Sequence, residues 1–209
     1  KLIAGDKVLL AAGQTFHGKI SFSDISGNSE QPIVISTYPK NSKDKAKINA
    51  KGKLYGIHLL NSSHVNVSNI AIEANGGGTP DWLSKARINE SGEESPKQKK
   101  TKRQILKPMR IGIFVESKKS GDYQNIHIDD VDISNIFFAN SGITRSIEET
   151  RSANGTKSYG WGIRFIARKN TSLSNVSVSN SSIANVSHTG IKFSGHNKGI
   201  KEAKLFNNK

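Results

Sequence analysis

A short pattern of glycine, isoleucine, a variable residue and an apolar residue recurs four times along this chain of 209 residues. It occurs in the segments LYGIHLLN, RIGIFVES, YGWGIRFIA and SHTGIKFSG. The last two copies, at Gly162 and Gly190, lie 28 residues apart, and the earlier spacings of 50 and 56 residues are interpreted as one unit plus an insertion. An internal repeat of this length is typical of solenoid proteins, whose units stack on their neighbours.

Between these marks the sequence alternates apolar and polar residues, as in VNV, IAI, IHI, VDI and VSV. Alternation with period two predicts strands with one buried face, and helical periodicity is almost absent. Each unit therefore contains a Gly-Ile strand, a polar turn, a second short strand, a tight turn at Asn or Asp, and a third short strand. Three strands in about 22 to 28 residues predict an all-β, right-handed, single-stranded parallel β-helix of about five or six coils.

Stacked coils place equivalent residues in ladders with a rung spacing of about 4.8 Å. One ladder is expected to be buried, and it consists of Ile57, Ile113, Ile163 and Ile191. The variable residues face outward and form an external ladder of His58, Phe114, Arg164 and Lys192. Two positions further lies a second outward row of Leu60, Glu116, Ile166 and Ser194. Asn69, Asp130 and Asn180 recur in the tight turns, where they suit left-handed or bridge-region backbone.

The first coil resembles a known group of proteins. Its residues run in the order Gly5-Asp6, an apolar strand, Gly13, Phe16, Gly27 and Pro32-Ile33-Val34-Ile35. This order is similar to the first coil of secreted right-handed β-helix proteins that act on polysaccharides: pectate lyases, chondroitinase-B-like and alginate lyases, and β-helix glycoside hydrolases. The resemblance covers residues 1–37 and, more generally, the repeats at 55–74 and 110–209. It implies one β-helix domain over 1–209 and a secreted, cell-surface or periplasmic bacterial protein.

The ends of the chain carry neither a signal peptide nor a cap. We therefore expect a fragment that is truncated at both ends, and end coils that self-associate through their unpaired strand edges.

The composition of the chain limits which classes of partner it could bind. Lys and Arg number 31 against 17 Asp and Glu, which gives a net charge of +14 and favours a polyanion. Aromatic residues make up only 7% of the chain and nucleic-acid-binding motifs are missing, so we expect no nucleic acid. No apolar run reaches the roughly 18 residues of a membrane span, and the chain has no cysteine for a disulfide or a thiolate metal site. An acidic polysaccharide is the expected partner.

Two insertions, at about 75–109 and 137–158, each end just before a Gly-Ile strand. Insertions at one corner of a solenoid commonly flank its binding face. The first insertion is rich in Lys and Arg. Lys102, Arg103 and the adjoining Arg110 are therefore predicted to bind substrate, and a solvated charged loop is the alternative.

Three residues are predicted to be catalytic. A β-helix lyase needs a cation to neutralise the uronate carboxylate, a base to remove the C5 proton and a donor for the leaving oxygen. Arg164 and Lys192 lie in adjacent coils, where mutual repulsion would lower the lysine pKa and favour its action as a base. His188 precedes the Lys192 strand and is the candidate donor. Two solvated surface cations are the alternative.

Further outward residues are predicted to bind substrate, and these are His58, Phe114, Glu116, Tyr159 and Trp161. Aromatic rings stack on sugars, although they pack under loops equally often. Glu116 is expected to form a surface ion pair diagonally with Arg164, and a catalytic acid is the alternative.

Asp129, Asp130 and Asp132 could bind Ca²⁺ or supply the acid and base of a hydrolase, but their positions favour a structural role. No metal ligand is predicted, because no histidine pair has metal-binding spacing, and Ca²⁺ is the one candidate cofactor. Three functions stay open. A polysaccharide lyase is favoured over a glycoside hydrolase on the same fold, and a non-catalytic carbohydrate-binding or adhesin-like module is the third.

Overall fold

The computed structural model describes residues 1–75, 109–137, 159–196 and 199–209. Its described residues form fourteen β-strands and no helix, and the strands pair in parallel. The strands are β1 Lys7–Ala11, β2 Thr15–His17, β3 Ile20–Ser23, β4 Ile33–Tyr38, β5 Ala46–Asn49, β6 Tyr55–Leu60, β7 Val65–Asn75, β8 Met109–Ser117, β9 Gly121–Phe137, β10 Tyr159–Ala167, β11 Thr171–Ser179, β12 Ser182–Val186, β13 Thr189–Gly195 and β14 Ile200–Phe206.

Two parallel sheets are built from these strands. The Gly-Ile sheet has five strands in the order β13-β10-β8-β6-β3. The second sheet has nine, with the path β1-β4-β7-β9-β11-β14 and with β2, β5 and β12 beside it. Because successive strands of one sheet come from successive coils, the chain is an all-β parallel solenoid, as the repeat predicts. No helix in the described residues could cross a membrane.

The register of the Gly-Ile sheet reproduces the predicted inner ladder. Ile57 pairs with Ile113, Ile113 with Ile163, and Ile163 with Ile191. The first three are fully buried in the main core, whereas Ile191, in the last strand of the sheet, is half-buried. Stacked isoleucines thus fill one layer of core from coil to coil.

The glycine before three of the four isoleucines is required by close packing. A Cβ on Gly112 would lie 2.6 Å from the carbonyl oxygen of Gly162 and 2.8 Å from Cγ2 of Ile133. Gly56 and Gly162 are equally crowded, but at Gly190 the nearest atom would be 3.7 Å away. The repeat therefore keeps glycine where the Gly-Ile strand presses against the third strand of the coil.

Left-handed residues mark the turns of the second sheet. Asn69, Asp130 and Asn180 have φ near 50°, as predicted. A second stack, which the sequence analysis missed, joins His64, Asn125 and Asn175 through their side chains. Because β7 passes through Asn69, and β9 through Asn125 and Asp130, without interruption, the predicted second and third strands form one longer strand in these two coils. In the last coil β11 and β12 stay separate on either side of Asn180.

Candidate outward-facing site

The outer face of the Gly-Ile sheet carries both predicted rows. His58 pairs with Phe114, Phe114 with Arg164, and Arg164 with Lys192. In the second row, Glu116 lies between Leu60 and Ile166, and Ile166 pairs with Ser194. The register of the site is therefore the one that the repeat predicts.

Both insertions begin at the end of a strand of the second sheet and end at the start of a Gly-Ile strand. The strands before them end at adjacent residues, since Asn75 pairs with Phe137. The strands after them start at another pair, Met109 and Tyr159. The predicted ligands Lys102 and Arg103 lie outside the described residues, and so does the side chain of Tyr159.

The expectation of exposed aromatic rings on this face is wrong. Phe114 is 3% exposed and Trp161 is 1% exposed, and they form a small apolar cluster with Ile111 and Ile166, separate from the main core. Four neighbouring large apolar side chains pack together because contact removes their surface from water. Neither ring is open for stacking on a sugar.

The three residues predicted to be catalytic all lie against the Trp161 ring. The guanidinium carbon of Arg164 lies 4.1 Å from the centre of the indole ring, and Nζ of Lys192 lies 5.7 Å from it. The His188 ring meets the indole edge-on, with 5.6 Å between ring centres and an interplanar angle of 66°. This arrangement follows from the register, because Thr189, the residue after His188, is the cross-strand partner of Trp161. We call these four residues the indole cluster.

Glu116 is a buried carboxylate, only 2% exposed, and not the surface residue that the sequence analysis predicted. Its predicted pairing with Arg164 is wrong. Oε1 accepts hydrogen bonds from Nη2 and Nε of Arg168 at 2.7 and 2.9 Å. Oε2 lies 3.2 Å from Nζ of Lys118 and 3.4 Å from Nε2 of His58. Arg168 reaches Glu116 because it follows the end of the neighbouring strand β10.

The surroundings of Glu116 keep it ionised. Burial raises the pKa of a carboxyl, but the hydrogen bonds from His58 and Arg168 and the charges of Lys118 and Arg168 outweigh burial and lower the Glu116 pKa to about 2. A carboxyl with such a pKa accepts hydrogen bonds but holds no proton to donate near neutral pH.

His58 and Arg110 are mostly buried, each about 8% exposed. The His58 ring stacks on Phe114 with 4.9 Å between centres and lies 4.5 Å from Tyr55. Burial lowers the pKa of Arg110. Tyr55 and Lys19 also belong to this site, although neither was predicted: Nζ of Lys19 lies 4.9 Å from the Tyr55 ring centre. The sequence does hold a signal for Tyr55, because it precedes its glycine as Ile111 and Trp161 precede theirs.

The aspartates of HIDDVDIS have structural partners. Asp130 and Asp132 contact Nζ of Lys45 at 2.8 and 2.9 Å, and Asp129 accepts a hydrogen bond of 2.6 Å from the Ser179 hydroxyl. In the part of the chain that the structure describes, no group of three or more His, Asp or Glu side chains is placed to hold a metal ion.

Comparison with known proteins finds structures with a similar fold. No family model matches the sequence, and no curated protein matches it. The GH136 lacto-N-biosidase from Eubacterium ramulus is similar in structure: its native form is 19% identical with a TM-score of 0.68, and its selenomethionine derivative is 18% identical with a TM-score of 0.67. The match covers 99% of this chain and 36% of that protein. An alginate lyase from Paenibacillus sp. str. FPU-7 aligns over 98% of this chain and 69% of its own length at 15% identity, with a TM-score of 0.31.

The comparison with the lacto-N-biosidase shows a shared fold. This chain spans about a third of the length of the lacto-N-biosidase, and the TM-score of the alginate lyase is too low to support an argument. The outward side chains, rather than the fold, must therefore carry any argument about function.

Proposed function

We propose that this chain is a carbohydrate-active β-helix protein that cleaves an acidic polysaccharide by β-elimination. The observation that carries the proposal is the indole cluster, in which two cations from adjacent coils and one histidine contact a single ring. The net charge of +14 and the fold shared with a lacto-N-biosidase support a glycan partner.

In this proposal each group has one task. Arg164 is permanently charged and neutralises the uronate carboxylate, which acidifies the proton on C5. Lys192 first loses its own proton to solvent, and its neutral amine then accepts the C5 proton; the bond between C4 and the glycosidic oxygen breaks, and a double bond forms between C4 and C5. His188 donates a proton to the leaving oxygen. The polysaccharide runs along the solenoid axis, because the cations follow one another from coil to coil at about 4.8 Å.

The ionised state of Glu116 favours elimination over hydrolysis. Most glycosidases use two carboxyl groups, one of which holds a proton at working pH because its pKa is raised. Among the described residues, Glu116 is the one carboxylate of the two outward rows, and its pKa is lowered. A glycoside hydrolase is the second candidate, since the structural neighbour belongs to that class by name.

The direct test is incubation with polygalacturonate, alginate and chondroitin sulfate, with a neutral glucan as control. Elimination gives a product with a conjugated double bond that absorbs in the ultraviolet, whereas hydrolysis gives a product heavier by one water. We expect the first product from one of the acidic polymers. Heavier products would replace the proposal with a hydrolase, and binding without products would indicate a non-catalytic carbohydrate-binding module.

Variants of the cluster test the assignment of roles. Lys192→Met should lower the rate by about 10² to 10⁴, the usual cost of removing a positioned acid or base. The matched control is Lys201→Met, which removes an exposed cation from β14 in the second sheet. If the two variants keep similar activity, the base is not Lys192.

Binding should also depend on salt. Attraction between a basic face and a polyanion is screened over about 8 Å at physiological ionic strength. Affinity for the acidic polymer should therefore fall steeply between low and moderate salt, and equal affinity for the neutral glucan would contradict the proposed partner. With that partner we also propose secretion or a cell-surface location, and association of end coils.

A further inference from the structure

We infer that Trp161 is a positioning residue: its indole holds Arg164, Lys192 and His188 in the arrangement that the proposed reaction needs. The inference rests on the proposed function and adds a residue that does not itself have to touch the sugar.

The burial of Trp161 distinguishes it from a residue that stacks on a sugar. Its side chain is 1% exposed, and the Arg164 guanidinium lies over its ring. A sugar that reached the ring would have to displace the guanidinium or open the apolar cluster. The indole therefore acts on the ligand through the cations above it.

Electrostatics explains why the ring is needed there. Arg164 and Lys192 are direct cross-strand neighbours, and like charges in such a pair repel. The negative face of an indole attracts both cations, and tryptophan is the strongest of the aromatic side chains in this respect. Loss of the ring would remove this attraction and leave the repulsion between the two side chains.

Packing keeps the ring itself in place. Trp161 lies in one apolar cluster with Ile111 and Phe114, and it is flanked by two glycines. A Cβ on Gly160 would lie 1.9 Å from the carbonyl oxygen of Ile136, and a Cβ on Gly162 would lie 2.5 Å from Cγ2 of Ile183. The backbone on both sides of Trp161 is therefore pressed against the third strand of the coil, and the ring is held before any ligand arrives.

The positioning can be measured without ligand. Ring currents of the indole should shift the NMR signals of the Lys192 ε-methylene and the His188 ring away from their ordinary positions. Trp161→Leu should remove these shifts, and Ile111→Val, in the same apolar cluster but without a cation, should keep them. Ordinary shifts in the wild-type protein would overturn the inference, whatever the protein binds.

The functional part of the test uses polygalacturonate, or whichever acidic polymer the wild type binds. We expect Trp161→Leu to weaken binding by about tenfold or more and to lower kcat, and Trp161→Phe to restore most of both, because a phenyl ring keeps part of the attraction. Ile111→Val should change neither. The phenylalanine variant also serves if the leucine variant does not fold.

A spectroscopic signal distinguishes positioning from general destabilisation. With Trp82→Phe, Trp161 is the single tryptophan of the chain. Its fluorescence should change when polymer draws Lys192 and Arg164 toward its carboxylates, and Lys192→Met should reduce that change. A folded Trp161→Leu protein with wild-type affinity and kcat would overturn the inference. A wild type that neither binds nor cleaves any acidic polymer would instead refute the proposed function.

Discussion

Replacing Glu116 by glutamine should destabilise the protein strongly although the two side chains have nearly the same shape. Glu116 is buried, Arg168 and Lys118 are the charged groups beside it, and Nε2 of His58 lies 3.4 Å from its Oε2. Glutamine removes the negative charge and leaves the cations beside a neutral amide. Removing one partner of a buried ion cluster is costly because the remaining charges lose their compensation.

The size of this loss of stability follows from the pKa of Glu116. Folding lowers the pKa of Glu116 from 4.5 to about 2, and one pKa unit corresponds to about 1.4 kcal/mol, so ionised Glu116 contributes about 3 kcal/mol. Because the folded-state pKa is the lower one, this contribution is complete above pH 4.5 and is lost as the pH falls toward 2. Each kcal/mol moves the Tm of a chain of this size by about 2–4 °C, so Glu116→Gln should lower Tm by about 6–12 °C at pH 7.

Thermal unfolding at pH 7 and at pH 3 tests this reasoning. The difference in Tm between wild type and Glu116→Gln should be large at pH 7 and smaller at pH 3. Glu30→Gln is the matched control, since Glu30 is exposed and the chemical change is the same. Equal effects of the two substitutions at pH 7, or a difference that does not shrink in acid, would refute the assigned role of the ion cluster.

Further substitutions test the packing of the coils by denaturant unfolding. Gly112→Ala should cost about 1–3 kcal/mol, because its Cβ meets the Gly162 carbonyl, whereas Gly190→Ala, with ordinary contact distances, should cost little; equal costs would contradict the packing argument. Ile163→Ala should cost about 2–5 kcal/mol, because Ile163 is fully buried, and a smaller loss would contradict its place in the core. Lys45→Met should change stability by at most about 1 kcal/mol, since its carboxylate partners are about half exposed, and a larger loss would show a stronger pair.

The repeat made the scaffold predictable from sequence. Gly-Ile recurs in equivalent positions, and stacking requires that equivalent residues lie on successive rungs. Once the repeat was aligned, the pairing of Ile113 with Ile163 and of Arg164 with Lys192 followed without knowledge of the long-range contacts. The left-handed turns followed for the same reason, because Asn and Asp recur where the coil bends.

Strict alternation failed around Gly162. Trp161 and Ile163 are two residues apart, so strict alternation would place both on one face of the sheet. In the structure Ile163 belongs to the main core, whereas Trp161 packs with the outward residues Phe114 and Ile166. The change of face occurs at Gly162, where packing leaves no room for a side chain. Period alone cannot reveal such a change of face.

The partners of Glu116 could not be predicted either. Arg164 and Arg168 both lie on the coil next to Glu116, and rung geometry alone does not choose between them. In the structure the Arg164 guanidinium lies over Trp161, and Arg168 forms two hydrogen bonds with the carboxylate. The choice depends on which ring or carboxylate each long side chain can reach, and that information lies in contacts between coils.

The variable position of the repeat can now be explained together with the constant ones. Glycine and isoleucine are kept because a Cβ or a smaller inward side chain would disturb contact with the neighbouring coil, and this constraint does not reach the outward residue. Along the outward ladder the side chains change from His58 and Phe114, which stack on one another, to the cations Arg164 and Lys192. The buried carboxylate Glu116 is already matched by Arg168 and its other cations, so it does not neutralise Lys192. Along this ladder the cations therefore lie in the last two strands of the sheet, where the proposed acidic ligand would place its carboxylates.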